Sequence, residues 1–287
     1  MEISTPVLVA VLLGALLHAA WNALVKSSTD KSLDTALIHA LGAVLAIPVI
    51  AYVGWPQAAA WPFIAASTVL HLAYYATLAN AYRYGDLGLT YPIMRGCAPL
   101  FVALGSQALI GESLSTTAWA GIVVVCVGVL VLGLSGSAGS AQDKRQAVGF
   151  ALLNALIIAA YTVIDGLGVR ASGSTLAYLG VLFLLDGWPY AALVLWRRNA
   201  AQRRDAYVYM RRRWPVALVG TLASLGSYGI ALWAMTQAPV AVVAALRETS
   251  VLFAVLLGAA LLHERWGWKK MVGAAGIVCG VWLLRLL

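Results

Sequence analysis

The sequence predicts an all-α integral membrane protein with ten transmembrane helices, arranged as two five-helix repeats of inverted topology. Three observations lead there. Hydrophobic residues make up 62% of the 287 residues and charged residues only 10%, with a mean hydropathy of +0.87. A soluble domain carries about 25% charge, so most of this chain must face lipid or other apolar helices. The second observation is a series of ten apolar runs, each close to the roughly 20 residues that cross a hydrocarbon core as a helix. The third is a repeat: residues 95–134 recur at 247–286, offset by 152 without a gap, and twelve of the forty aligned positions are identical. Internal duplication in a membrane-embedded chain points toward transport.

The predicted spans are 6–26, 35–54, 61–82, 88–110 and 115–134 in the first half, then 147–169, 175–196, 214–235, 240–262 and 268–286 in the second. Pro6, Pro62, Pro215 and Pro239 lie near span starts, where a missing N–H costs little. The first run is too long, and too lightly charged at its start, for a cleaved leader, and is expected to stay as a helix. The Gly/Ser-rich, then polar stretch at 136–146 reads as a linker, giving repeats at 1–135 and 147–287. Five spans per repeat is odd, so the second repeat enters from the opposite side.

The net charge of +8 lies between spans rather than on a soluble face, which argues against a nucleic-acid partner. Fifteen Lys and Arg residues fall on one side, including the seven arginines from Arg197 to Arg213, against Arg170 and Arg285 on the other. The positive-inside rule puts the first side in the cytoplasm and both termini outside, in a multi-pass protein of the cytoplasmic membrane. Contact of the arginine cluster with anionic lipid headgroups is a further expectation. Cys97, Cys126 and Cys279 sit in apolar runs without CxxC spacing and read as buried small hydrophobes. There is no GxxxxGK[ST], HExxH or GxSxG motif and no cluster of metal-ligand residues, so no cofactor, metal, ATP or catalytic residue is expected.

The two halves share Gly111-Glu112 or His263-Glu264 at the turn between their fourth and fifth spans, followed by Gly121 and Gly128 or by Gly273 and Gly280. With the Arg83-Tyr84-Gly85 and Thr236-Gln237-Ala238-Pro239 turns, this pattern resembles the EamA-type transporters of the drug/metabolite transporter superfamily. The resemblance covers essentially the whole chain. It implies ten helices around one central cavity, alternating access, and a metabolite substrate, with export the commoner direction. It also implies both termini in the cytoplasm, against the loop charges. The glycines are read as close-packing points between helices. Glu112 and Glu264 are read as caps of a helix N-terminus or as partners of Arg265 or Lys269.

Ionisable groups inside spans usually face a cavity or a partner. Arg95 and Arg247 occupy equivalent repeat positions and are expected either to bind an anionic group or to form structural ion pairs with Glu248 or Asp165. Glu248 stands where the first repeat has Gly96. It is a candidate for proton coupling or for holding a substrate amine, and a salt bridge to Arg95 is the alternative. Asp186, beside Gly187 and Pro189 where a kink is expected, and Asp165 are further proton-coupling candidates. His18, Trp21 and Asn22 share one helix face and, with Tyr75 and Tyr161, are expected at the substrate site; His39 and His71 face that patch or bridge helices. The expected function is a secondary transporter, proton-coupled, for a small polar or zwitterionic metabolite. The expected partners are substrate, protons and membrane lipids, in a monomer or homodimer. An uncoupled facilitator or exchanger, and a lipid-handling membrane protein, are the alternatives.

Overall fold

The computed structural model describes residues 3–133, 140–262 and 267–286. Eleven α-helices and one 3-10 turn run in the order α1 Thr5–Lys26, α2 Lys31–Val53, the turn Ala58–Ala60, α3 Trp61–Tyr84, α4 Leu87–Leu109, α5 Thr116–Gly133, α6 Ala141–Ala171, α7 Thr175–Trp196, α8 Ala200–Met235, α9 Val240–Arg247, α10 Thr249–Leu262 and α11 Trp268–Arg285. Only Glu248 separates α9 from α10, and its φ of −68° and ψ of −13° keep the chain in helical space. The two therefore continue as one broken span, and the described helices make ten spans. Eight segments meet the length and hydropathy needed to cross a membrane. The other two, α4 and α11, carry Arg95 and two prolines, and three terminal basic residues, which lower their hydropathy.

The chain is a multi-pass membrane protein whose outward faces are apolar. Val9, Leu13, Val69, Leu104, Leu156, Leu222 and Val278 are exposed, as lipid-facing side chains must be. Trp55, Trp61, Trp196 and Trp268 are exposed at or near helix ends, where aromatic side chains anchor a membrane interface. The polar capping groups lie at the ends too. Asp30 caps α2, Ser140 caps α6 and Ser174 caps α7, each accepting a backbone N–H two or three positions into the helix.

Two boundaries differ from the sequence reading. Helix α6 begins at Ala141, inside the expected linker, because Ser140 and Asp143 cap it. Helix α8 begins at Ala200 rather than 214, so most of the arginine cluster is helical rather than loop. A capping box closes its start: Asn199 Oδ1 accepts from Gln202 N at 2.9 Å, and Gln202 Oε1 accepts from Asn199 N at 3.0 Å. Charge marks where a helix leaves the membrane, not where it stops. The repeat positions Glu264 and His263, and Arg265, lie outside the described residues.

Helices pair as α1 with α8, α2 with α7, α3 with α6, and α5 with α11, and α9 is packed among α1, α4 and α8. Residues Val240 to Leu246 of α9 are all buried, so this short segment forms the centre of the molecule. The α5–α11 contact rests on glycine. A Cβ on Gly128 would lie 2.8 Å from Ile277 N and 2.9 Å from Gly273 O. A Cβ on Gly280 would lie 2.9 Å from Gly121 O. These obstacles are backbone atoms, which cannot swing aside. Gly128→Ala is therefore expected to cost about 1–3 kcal/mol by overpacking. Gly149→Ala, where a Cβ meets nothing within 4 Å, is expected to leave the melting temperature unchanged. Equal stability of the two variants in a thermal-unfolding assay would refute the close-packing role.

Gly187 has a similar role. A Cβ there would sit 2.5 Å from His39 O and 2.6 Å from the Ala43 Cβ. Its place next to Asp186 thus serves the approach of α2 to α7, while α7 stays helical through Pro189.

Candidate functional site

A cavity of about 610 Å³ opens between the helices, lined by side chains from α1, α2, α3, α4, α6, α7, α8 and α9. Of the residues proposed from sequence, His18, Trp21, Asn22, Tyr75, Tyr161, Arg95 and Arg247 line it. So does Asp186. Glu248 and Asp165 do not form the wall; both are buried behind it. The α1 patch is preorganised. Trp21 Nε1 points to His18 Nδ1 at 3.4 Å, and Asn22 Nδ2 donates to His18 O at 2.8 Å.

The two repeat-related arginines have different surroundings. Arg95 Nε lies 3.0 Å from Glu248 Oε2, the structural ion pair weighed from sequence. The atoms are off-line for a hydrogen bond, so the attraction is chiefly coulombic. Arg95 Nη2 also donates to Ser250 Oγ at 3.4 Å, tying α4 to the start of α10. Arg247 has neither Glu248 nor Asp165 as an ion-pair partner among the described residues. Its guanidinium instead lies over the Tyr228 ring, 5.3 Å from the centroid. Arg95 thus has a carboxylate at ion-pair distance, whereas Arg247, which lines the cavity, has none among the described residues.

Carboxylates occupy the α6–α7 side. Asp165 is fully buried. It accepts from Tyr178 Oη at 2.8 Å and from Tyr228 Oη, which satisfies it without a cation. Asp186 Oδ2 lies 3.2 Å from His71 Nδ1, and the same nitrogen is 2.9 Å from Ser67 O. The His71 ring stacks on Tyr161 at 4.4 Å. Sequence reasoning missed Tyr190 and Tyr228 as wall residues, and Tyr178 as a partner of Asp165. Tyrosine is also the commonplace residue of a membrane interface, so no local signal separates the two uses.

At one end the cavity continues into a vestibule of about 970 Å³, and the two share Ser32, Tyr75, Ala79 and Tyr190 as lining. The vestibule lies on the arginine-rich side. There Arg198 Nη2 pairs with Asp30 at 2.8 Å, and Arg213 Nε pairs with Asp34 at 3.1 Å, which also accepts from Tyr209 Oη at 2.9 Å. Two of the clustered arginines therefore clamp the start of α2 to the α7–α8 turn and to α8, beyond any role in orientation. Burial alone would raise the Asp30 carboxyl. The Ser32 hydroxyl, the Leu33 N–H and the Arg198 guanidinium outweigh that and hold it below its ordinary value. A depressed folded-state value gives stability that is present above the unfolded value and lost as pH falls through the folded one. Asp30→Asn is thus expected to lower the melting temperature slightly near neutral pH, with the difference shrinking as the solution is acidified below the ordinary carboxylate range. A deficit that persists in acid would sink this assignment.

The opposite end is closed. Arg170 Nη2 pairs with Glu112 Oε1 at 2.7 Å, and Arg170 Nε donates to Met235 O at 2.8 Å. Glu112 Oε2 accepts from Val240 N at 2.9 Å. Glu112 does cap a helix N-terminus, that of α9, and its ionic partner among the described residues is Arg170 rather than Lys269. Gly111, at φ +73°, turns the chain to place it there.

Among solved structures, 29 chains match. One of these, a crystal structure of another protein, aligns over 98% of this chain and 96% of its own with a TM-score of 0.74 at 18% identity, which establishes a shared fold. No curated protein matches the sequence. The model of the EamA-like transporter family matches residues 145–286. With the membrane helices and the cavity between them, this match places residues 145–286, the second five-span half of the chain, in the EamA-like transporter family, a family of membrane transporters.

Proposed function

We propose that the protein is a secondary transporter that exports a small zwitterionic metabolite across the cytoplasmic membrane by alternating access, coupled to protons. The observation that carries this reading is the cavity wall itself. It presents the guanidinium of Arg247, which has no carboxylate at ion-pair distance among the described residues, and the carboxylate of Asp186 on different helices, in a wall that also carries aromatic rings. A zwitterion satisfies both charges at once, and a simple cation or anion satisfies one. That Arg95 and Arg247 face an enclosed cavity rather than lipid favours transport over lipid handling.

The repeats 1–135 and 147–287 are proposed to be of inverted topology. The helix pairing supports this: α1–α8 and α3–α6 exchange under the repeat, and Gly121–Gly280 exchanges with Gly128–Gly273. The loop charges favour a cytoplasmic vestibule, so the closed Glu112–Arg170 end is proposed to face outward. An open vestibule on one side and an ion-paired closure on the other suit an inward-open state of an exporter.

The test starts with a thermal-shift screen of zwitterionic metabolites, since a ligand bound to the folded state raises its stability. Flux of each hit into proteoliposomes follows, with and without a pH gradient. Arg247→Ala is expected to weaken binding roughly 10–150-fold, the worth of a charged hydrogen bond of about 1.5–3 kcal/mol. Arg204→Ala, on the exposed arginine-rich part of α8, is expected to change nothing. Equal affinity in both variants would remove Arg247 from the site, and flux that ignores the pH gradient would favour a facilitator.

A further inference from the structure

The helical interior holds a group that the cavity reading does not use: His71, flanked by Asp186 and, through Ser67, by Asp165. Its geometry fixes its tautomer. Nδ1 lies 2.9 Å from Ser67 O and 3.2 Å from Asp186 Oδ2, with Ser67 Oγ at 3.3 Å. A backbone carbonyl only accepts, so Nδ1 carries a hydrogen in every state. The nitrogen that gains or loses a proton is Nε2, and no hydrogen bond to it exists among the described residues.

The two flanking acids differ in access. Asp165 has no exposure and is held by two phenols. The Asp186 side chain keeps 13% of its surface and faces the cavity. Only Asp186 can meet a substrate. When Nε2 is protonated, His71 is the cation paired with Asp186. When it is not, Asp186 is a carboxylate in a cavity wall that also carries Tyr75 and Tyr190, whose rings lie 5.3 Å from each other. A wall with a carboxylate and aromatic rings attracts an organic ammonium by charge and by its π faces.

We propose that a proton on His71 Nε2 and an ammonium group on the substrate compete for the Asp186 carboxylate, so that binding of the amine expels one proton to the cavity. This deepens the transporter reading and rests on it only for its consequence: mutual exclusion at one carboxylate makes an exchanger of amine and proton. The other charged and titratable groups facing the pair are few. His39 of α2 approaches from the Tyr75–Tyr190 side, with ring centroids at 6.0 and 5.8 Å. Tyr161 stacks on His71 from α6, Tyr74 stands beside Tyr161 on α3, and Tyr178 of α7 and Tyr228 of α8 are engaged by Asp165. Arg95 and Arg247 line the same cavity from α4 and α9 and supply the anion-binding end.

The experiment uses the purified full chain in weakly buffered detergent, a pH-indicator dye, and phenethylamine as the probe. Binding is followed in parallel by calorimetry. Across a series of pH values the wild type is expected to release roughly one proton per amine bound at the acid end, falling toward none at the alkaline end. His71→Gln should bind the amine without release. Asp186→Asn should lose both binding and release. Glu248→Gln, which leaves the His71–Asp186 pair intact, should keep both. Failure of the wild type to bind phenethylamine, binding without release, or release that survives in His71→Gln would each overturn the proposal. Because no flux is measured, this outcome is separate from the transport assay. Proton-driven flux without amine-linked release would leave the transporter standing and remove this site.

Discussion

Arg95→Met is expected to destabilise the protein by about 3–5 kcal/mol, the cost of stripping one partner from a buried ion pair. That corresponds to a fall in melting temperature on the order of 10 °C. The loss comes from the residue left behind. Glu248 is 4% exposed and lies behind the cavity wall, so without Arg95 its carboxylate has little water and no cation at ion-pair distance among the described residues. The reverse change is milder. The Arg95 side chain is 13% exposed and lines the cavity, so water there can solvate it once Glu248→Gln removes its partner. The double variant Arg95→Met/Glu248→Gln should therefore regain more than half of the stability lost in Arg95→Met. If the double variant melts no higher than Arg95→Met, the pair is not what holds α4 to the break between α9 and α10. The same asymmetry separates the arginines. Arg95 is expected to act chiefly on stability, and Arg247, with no ionic partner among the described residues, chiefly on binding.

That division of labour was only half legible in the sequence. The repeat pointed at Arg95 and Arg247 together, and the mismatch of Gly96 with Glu248 showed that the halves differ there. It could not show which arginine Glu248 neutralises, because that depends on how α4 packs against the span broken at Glu248. The spans themselves were readable, since lipid exposure leaves an apolar run that needs no partner to be recognised. Helix α8 was the exception: its first turns lie in the arginine-rich stretch, where hydropathy stops reporting on helix. The Asp165–Tyr178–Tyr228 and His71–Asp186 groupings join residues from α3, α6, α7 and α8. Each is a contact between helices, and periodicity within one helix carries no trace of it.

Arg170→Ala is expected to open the Glu112–Arg170 end of the cavity, the end proposed to face outward. Four segments meet at this side chain: the turn after α4 through Glu112, the end of α6, the end of α8 through Met235 O, and the turn before α9 through Ala238 O at 3.3 Å. Helix ends leave carbonyls and N–H groups without partners. Arg170 serves the carbonyls at the end of α8, and Glu112 serves the Val240 N–H at the start of α9, where the helix dipole favours a negative charge. Removing Glu112 would disturb the α9 cap as well as the closure. Removing Arg170 leaves the Glu112–Val240 bond in place and takes away the link between segments, so it is the cleaner test. The link is part-exposed, so its worth is set at about 1–3 kcal/mol, enough to shift a two-state equilibrium roughly 5–150-fold. A cysteine placed in the cavity by Ser224→Cys reports the shift through a membrane-impermeant thiol reagent applied from outside. Labelling should rise by that factor in Arg170→Ala, and the change should be small in Arg285→Ala, whose arginine sits at the end of α11. Unchanged labelling in Arg170→Ala would mean that the outer end is held shut by apolar packing around α9, and that the ion pair only decorates it.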